Sequence, residues 1–192
     1  MTEVRSDDLH TLPKDLPVPS DDGAARHLAH MMVPPIALTS TRGREVVLAD
    51  ESQQARVVVY AYPRTGEPGK DLPPGWDAIP GARGCTPQSC AFRDLHAELS
   101  RLGARVYGLS TQTTEYQREM AERLHLPFEV LSDAGLRFQR ALKLPTFEVA
   151  GMMLLKRLTL VLSRGEVEHV LYPVFPPDQS ARQVLDWLRA NV

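Results

Sequence analysis

A chain of 192 residues, 43% hydrophobic and 24% charged, holds one domain's worth of ordinary globular sequence and excludes a disordered chain. Its 22 basic and 24 acidic residues leave a net charge of −2 with no basic block, which argues against nucleic acid as a partner. No apolar run approaches the length of a membrane span, and no basic start followed by an apolar stretch opens the chain. A cytoplasmic protein with no membrane partner is expected.

Residues 1–20 carry Pro13, Pro17 and Pro19 and read as an extended arm. Residues 22–32 predict one short helix with Ala24, Leu28 and Met31 on a face. The chain then divides into an N-terminal arm over 1–32 and one domain over 33–192. Segments 36–41 and 45–49 flank Arg42-Gly43 as a hairpin. Residues 57–62 are continuously apolar and β-rich, as a central buried strand should be. A long Gly/Pro-rich loop containing Trp76 follows, from Pro63 to Gly84.

Thr86 then suits an N-cap and Pro87 a first helical position, with Leu95, Leu99 and Leu102 as the buried stripe and Gly103 as the stop. A strand is predicted over 105–110. Thr114 and Gln117 have capping-box spacing ahead of Met120 and Leu124. A short strand over 129–131 precedes a helix through Leu142 that Asp133 can cap. Residues 157–162 and 167–172 form a second hairpin about Ser163-Arg164-Gly165. Asp178 or Ser180 caps a last helix carrying Val184, Trp187 and Leu188. This order predicts an α/β fold with a central mixed β-sheet flanked by helices, an N-terminal β-hairpin, and an extended loop ahead of the site. Ligands in such sheets bind beyond the carboxyl ends of central strands, where the 57–62 strand delivers the chain toward Cys85.

Cys85 and Cys90 are the only cysteines, too few for a disulfide framework or a four-thiolate zinc site. Cys85 lies at a helix N-terminus, where unpaired N–H groups and the positive end of the helix dipole favour a thiolate. Two Cα atoms five residues apart on a helix are about 8.5 Å apart and point about 140° away from each other. A disulfide needs Cα atoms within about 7 Å, so the pair bridges only if the first turn unwinds. Spacing alone leaves open whether the two thiols are reactive or are inert small hydrophobes.

The segment GCTPQSCAFRD, Gly84 to Asp94, resembles the active-site segment of peroxiredoxins of the bacterioferritin-comigratory-protein, or peroxiredoxin Q, type in the AhpC/TSA superfamily. VVVYAYP, VYGLST, LPFEVLSD and KRLTLVLSRGEVEHV extend the resemblance from about residue 33 to the end. The resemblance implies a thioredoxin-like fold and a thiol-dependent peroxidase for hydrogen peroxide or organic hydroperoxides. It makes Cys85 the peroxidatic and Cys90 the resolving cysteine, bridged as an intramolecular disulfide and recycled by a thioredoxin-type reductant. Arg157 matches the arginine beside the reactive sulfur. Pro63, Thr65, Gly84 and Thr86 are the candidate peroxide-binding residues, no cofactor or metal is implied, and a monomer or weak homodimer is expected.

One departure stands out. Where the family's motif carries a hydroxyl three residues before the cysteine, this chain has Ala82, and an insertion over about 66–80 separates Pro63 from Cys85. Thr65 and Thr86 are the candidates to replace that hydroxyl. Trp76 is read as loop packing or as an apolar wall over the site, Arg83 as added positive potential or a solvated side chain, and Arg93 as a structural partner of a carboxylate such as Asp94. His27 and His30 are three apart but lack a third metal ligand, and His125 and His169 lack an associated carboxylate motif. The missing hydroxyl and enlarged loop support an alternative, a non-catalytic redox sensor or binding module on the same fold. A general disulfide reductase is disfavoured, because the pair is C-x-x-x-x-C rather than C-x-x-C.

Overall fold

The computed structural model describes residues 9–191, so the first eight residues of the expected arm lie outside the described part. Nine strands and five helices are used below: β1 Ala37–Ser40, β2 Glu45–Val47, α1 Leu48–Gln54, β3 Arg56–Ala61, α2 Cys85–Arg101, β4 Ala104–Ser110, α3 Thr114–Arg123, β5 Glu129–Ser132, α4 Arg137–Leu142, β6 Thr146–Val149, β7 Met152–Leu155, β8 Leu158–Ser163, β9 Glu166–Leu171 and α5 Ser180–Ala190. Seven strands form one sheet in the order β2-β1-β5-β4-β3-β8-β9, and β6 pairs with β7 in a separate hairpin. The sheet is mixed as expected: β3, β4 and β5 run parallel, while β1, β2, β8 and β9 pair antiparallel.

β3 is central because every residue from Val57 to Ala61 is an apolar or aromatic side chain with a face to bury. Val57, Val59 and Ala61 enter one core with Leu109, Leu131, Phe138 and Leu160. Val58 and Tyr60 enter the other with Phe92, Leu99, Met120, Val184 and Leu188, which brings α2, α3 and α5 onto that face. The Tyr60 ring stacks on Phe92 at 4.4 Å between centroids and meets Phe128 edge-on at 5.8 Å.

Register places the site. β8 runs antiparallel to β3 with Leu158 opposite Ala61, so Arg157, one residue before β8, arrives at the carboxyl end of β3. The same end releases the long loop that returns as α2. Two distant segments thus meet at the carboxyl end of β3.

Four local expectations need correction. Residues 22–32 form turns, not a helix: Gly23 at φ 76° and His30 at φ 67° leave the right-handed region, while Ala25 and Leu28 bury against the first core. The N-cap of α2 is Gly84, not Thr86, so Cys85 is the first helical residue. Gly84 has φ 104°, and a Cβ there would sit 2.6 Å from Pro177 Cγ and 2.8 Å from Leu12 Cδ2, so only glycine fits. At α3 the cap is Thr113, whose side chain accepts from the Tyr116 N–H, one residue before the predicted Thr114. At the last helix neither predicted cap acts: Gln179 holds the position, and Ser180 is already helical. Asp133 does hold α4, accepting from the N–H groups of Phe138 and Gln139 at 3.1 and 2.8 Å.

Candidate active site

α2 opens directly on Cys85, so the sulfur sits among the unpaired N–H groups of a 17-residue helix. Cys85 is 3% exposed, and its Sγ lies 3.3 Å from Arg157 Nη2 and 3.7 Å from the Ala82 carbonyl. A guanidinium and the first turn of a helix thus border one sulfur.

Arg157 is itself held on several sides. Its Nη2 donates to the carbonyls of Ala82 and Arg83 at 3.2 and 3.1 Å, and its Nη1 donates to Gln88 Oε1. Gln88 Nε2 donates to Ser180 Oγ at 3.2 Å, and that hydroxyl lies 3.3 Å from Thr159 Oγ1. Arg157, Gln88, Thr159 and Ser180 are all buried, so the network fixes the guanidinium from β8, α2 and α5 together. Gln88 and Ser180 were missed in the sequence as site residues. The available signal was periodicity: Cys85, Gln88 and Phe92 fall at i, i+3 and i+7 on one buried helix face.

Cys90 lies on the same helix, partly buried against the Phe92 core, and both thiols are free. Burial pushes the Cys90 thiol up, and Asp94 adds to this while Arg93 and Arg123 oppose it. With both residues inside α2, a bridge requires the first turns to unwind.

Gly84 and Thr86 line the space beside Cys85, as expected for neighbours on its backbone. Pro63 is buried at the exit of β3. Thr65 is turned to other work: its hydroxyl donates to Gln112 Oε1 at 3.2 Å, its N–H donates to the same oxygen at 3.0 Å, and Gln112 Nε2 donates back to its carbonyl at 3.3 Å. Thr86 is therefore the hydroxyl residue bordering the sulfur's cavity. Ala82 is buried and packs in an apolar cluster with Trp76 and Leu154. Trp76 both packs the loop and walls the site. Arg83 pairs with Asp77 at 3.2 Å, and Arg93 pairs with Asp94 at 2.9 Å while donating to the Leu124 carbonyl at 3.0 Å. His27 Nε2 is hydrogen-bonded to the Leu142 carbonyl at 2.9 Å, and among the described residues no cluster of three metal-ligating side chains occurs.

The space beside Cys85 is only about 10 Å³, bounded by Leu9 of the arm, Leu72 and Trp76 of the long loop, and Arg64. That is room for about one water. Anything larger reaches the sulfur after the leucines or the tryptophan move outward. Leu9→Ala is expected to raise the rate of Cys85 alkylation by N-ethylmaleimide about fivefold, since truncating a half-buried leucine removes about 1 kcal/mol of closure. An unchanged rate would show that the arm does not cover the thiol.

Sequence comparison gives the frame for this geometry. The Redoxin family matches residues 28–185. The chloroplastic peroxiredoxin Q of Sedum lineare is 32% identical over 158 residues, covering 82% of this chain and 75% of the relative. That of Gentiana triflora is 27% identical over 187 residues, covering 95% and 78%. The crystal structure of peroxidoxin BcpB from Mycobacterium tuberculosis superposes with a TM-score of 0.69 at 26% identity, covering 85% of this chain and 98% of that one. The thioredoxin-like sheet, the sequence match and the cysteine at the head of α2 agree, and the chain belongs to the redoxin family as a peroxiredoxin of the Q type.

Proposed function

We propose that this peroxiredoxin reduces hydrogen peroxide and organic hydroperoxides through Cys85 and Cys90, drawing electrons from a thioredoxin-type dithiol. The observation that carries this reading is the Arg157 Nη2 to Cys85 Sγ distance of 3.3 Å at the first residue of a helix. The Cys85 thiolate attacks one peroxide oxygen, an S–O bond forms, and the O–O bond breaks. The departing hydroxide or alkoxide takes a proton and leaves as water or alcohol. Arg157 stabilises the thiolate and then the charge that develops on the oxygens. Gly84 and Thr86 border the peroxide, and Pro63 and Thr65 shape the loop that precedes it.

The resulting sulfenic acid meets the Cys90 thiol once α2 has partly unwound, an S–S bond forms and water leaves. A dithiol donor then reduces the bridge by thiol–disulfide exchange, becoming a disulfide itself. Recycling of this kind belongs to a thiol-reducing compartment, and we place the protein in the cytoplasm as a monomer or weak homodimer. Among the described residues no helix is long and apolar enough to cross a membrane.

One equivalent of peroxide added to the reduced protein is expected to consume both thiols and give an intramolecular Cys85–Cys90 bridge by mass spectrometry. Cys85→Ser is expected to leave peroxide unconsumed; consumption at the wild-type rate would overturn the assignment. The closed wall over Cys85 favours a second reading, a slow redox sensor on the same fold. Rapid turnover with thioredoxin and its reductase would remove that reading.

A further inference from the structure

Between its two cysteines α2 is tied down twice. Gln88 is bound into the Arg157 network, so its tie belongs to the surroundings of the reacting sulfur. Ser89, the residue before Cys90, is bound to the sheet instead: its Oγ accepts from the Tyr60 hydroxyl of β3 at 3.1 Å. Both residues are fully buried, and among the described residues neither side chain makes another hydrogen bond.

Tyr60 is a fixed anchor. Its ring stacks on Phe92 and Tyr62 at centroid separations of 4.4 and 5.8 Å and meets Phe128 edge-on. Its register partner in β4 is Gly108, where a Cβ would lie 2.9 Å from the phenol oxygen, so a side chain there would crowd the hydroxyl. Burial pushes the Tyr60 phenol up, so it keeps the proton it donates across the range in which thiols ionise. Joining Cys85 to Cys90 takes the residues between them out of the helix, which carries Ser89 away from this anchor. Phe92, beyond Cys90, can keep its stack on Tyr60 meanwhile. The Tyr60–Ser89 bond therefore resists unwinding without donating to or accepting from Cys85 or Arg157.

We propose that the Tyr60–Ser89 hydrogen bond is a latch that holds the first turns of α2 wound and so sets how long the Cys85 sulfenic acid lives before Cys90 captures it. Tyr60 and Ser89 are positioning residues: they govern the resolving step and leave the attack on peroxide alone. The timing of resolution rests on the proposed function; the hold on the helix does not.

The test follows three quantities in the full-length protein: Cys85 oxidation by hydrogen peroxide, formation of the Cys85–Cys90 bridge, and amide exchange at Gln88 in the reduced state. The Gln88 N–H closes the first turn on the Gly84 carbonyl at 3.0 Å, so its exchange reports opening of that turn. Tyr60→Phe and Ser89→Ala should each speed bridging and Gln88 exchange about fivefold, the factor equivalent to one ordinary net hydrogen bond. Cys85 oxidation should stay at the wild-type rate. The sign discriminates, because alanine is the better helix former and Ser89→Ala without a latch would slow unwinding. Both substitutions remove one bond, so the double variant should match the larger single effect rather than their product. With excess peroxide less Cys85 should reach sulfinic acid, since that oxidation competes with bridging. Where the bridge forms, unchanged or slower bridging in folded Tyr60→Phe and Ser89→Ala proteins, or effects that multiply in the double variant, would overturn the latch. Faster Gln88 exchange in these variants, in a protein whose Cys85 proves inert toward peroxide, would overturn the proposed function and leave the latch standing.

Discussion

Arg157→Gln lowers the rate of Cys85 oxidation by hydrogen peroxide about a hundredfold, the loss expected when a preorganised donor to a developing charge is removed. Two contributions are lost together. The cation 3.3 Å from the sulfur is gone, and so is the fork that would hold the peroxide oxygens. They separate experimentally. Alkylation by iodoacetamide uses the sulfur but not the donors that hold peroxide oxygens, and should fall less than the peroxide reaction. Arg157→Lys keeps the charge but not the fork, and should recover alkylation more than peroxide reduction. Gln88 and the Ala82 and Arg83 carbonyls lose their donor in Arg157→Gln, so melting is measured alongside. A folded Arg157→Gln protein with wild-type peroxide rates would remove Arg157 from the reaction.

Much of this site was readable because chemistry and pattern coincide in one stretch. Gly84 to Asp94 carries both the family resemblance and a helix start, and the apolar run in β3 marks the strand that leads there. What sequence could not show was long-range placement. The arm's Leu9 and the loop's Leu72 and Trp76 meet over Cys85 only because the fold brings 9, 72 and 76 together. Gln112 reads as a loop residue until Thr65, 47 positions away, is seen to use its amide. Helix α1 went unread because it is seven residues long and its N-cap, Val47, offers no side-chain hydrogen bond, so neither period nor capping had room to signal. The β6–β7 hairpin did leave a trace, Ala150-Gly151 ahead of the apolar run of β7, both residues at positive φ (49° and 74°). The 22–32 segment shows the opposite failure: Leu28 buries as its helical pattern suggested, while the backbone about Gly23 and His30 turns instead.

Cys90→Ser should oxidise at Cys85 as fast as the wild type in its first encounter with peroxide, then stall. A thiol five residues away on an unwound turn acts at millimolar effective concentration, against micromolar external dithiol, so steady-state turnover falls about a hundredfold. The stalled sulfenic acid goes on to sulfinic acid with excess peroxide, which mass spectrometry detects on Cys85. The resolving step also carries its own pH dependence. Burial raises the Cys90 thiol above its ordinary value, so the folded helix prefers it neutral. The sign follows from linkage: the helix keeps this contribution to its stability below the ordinary thiol value and loses it as pH rises toward the raised one. Alkaline pH therefore favours the unwound turn and the nucleophilic form of Cys90 at once. Disulfide formation in the wild type should quicken by about tenfold per pH unit between about pH 7 and 8, below the ordinary thiol value. Formation of the bridge at a rate independent of pH would mean that ionisation of Cys90 does not limit the step, and full turnover by Cys90→Ser would mean that the Cys85 sulfenic acid is resolved by another thiol.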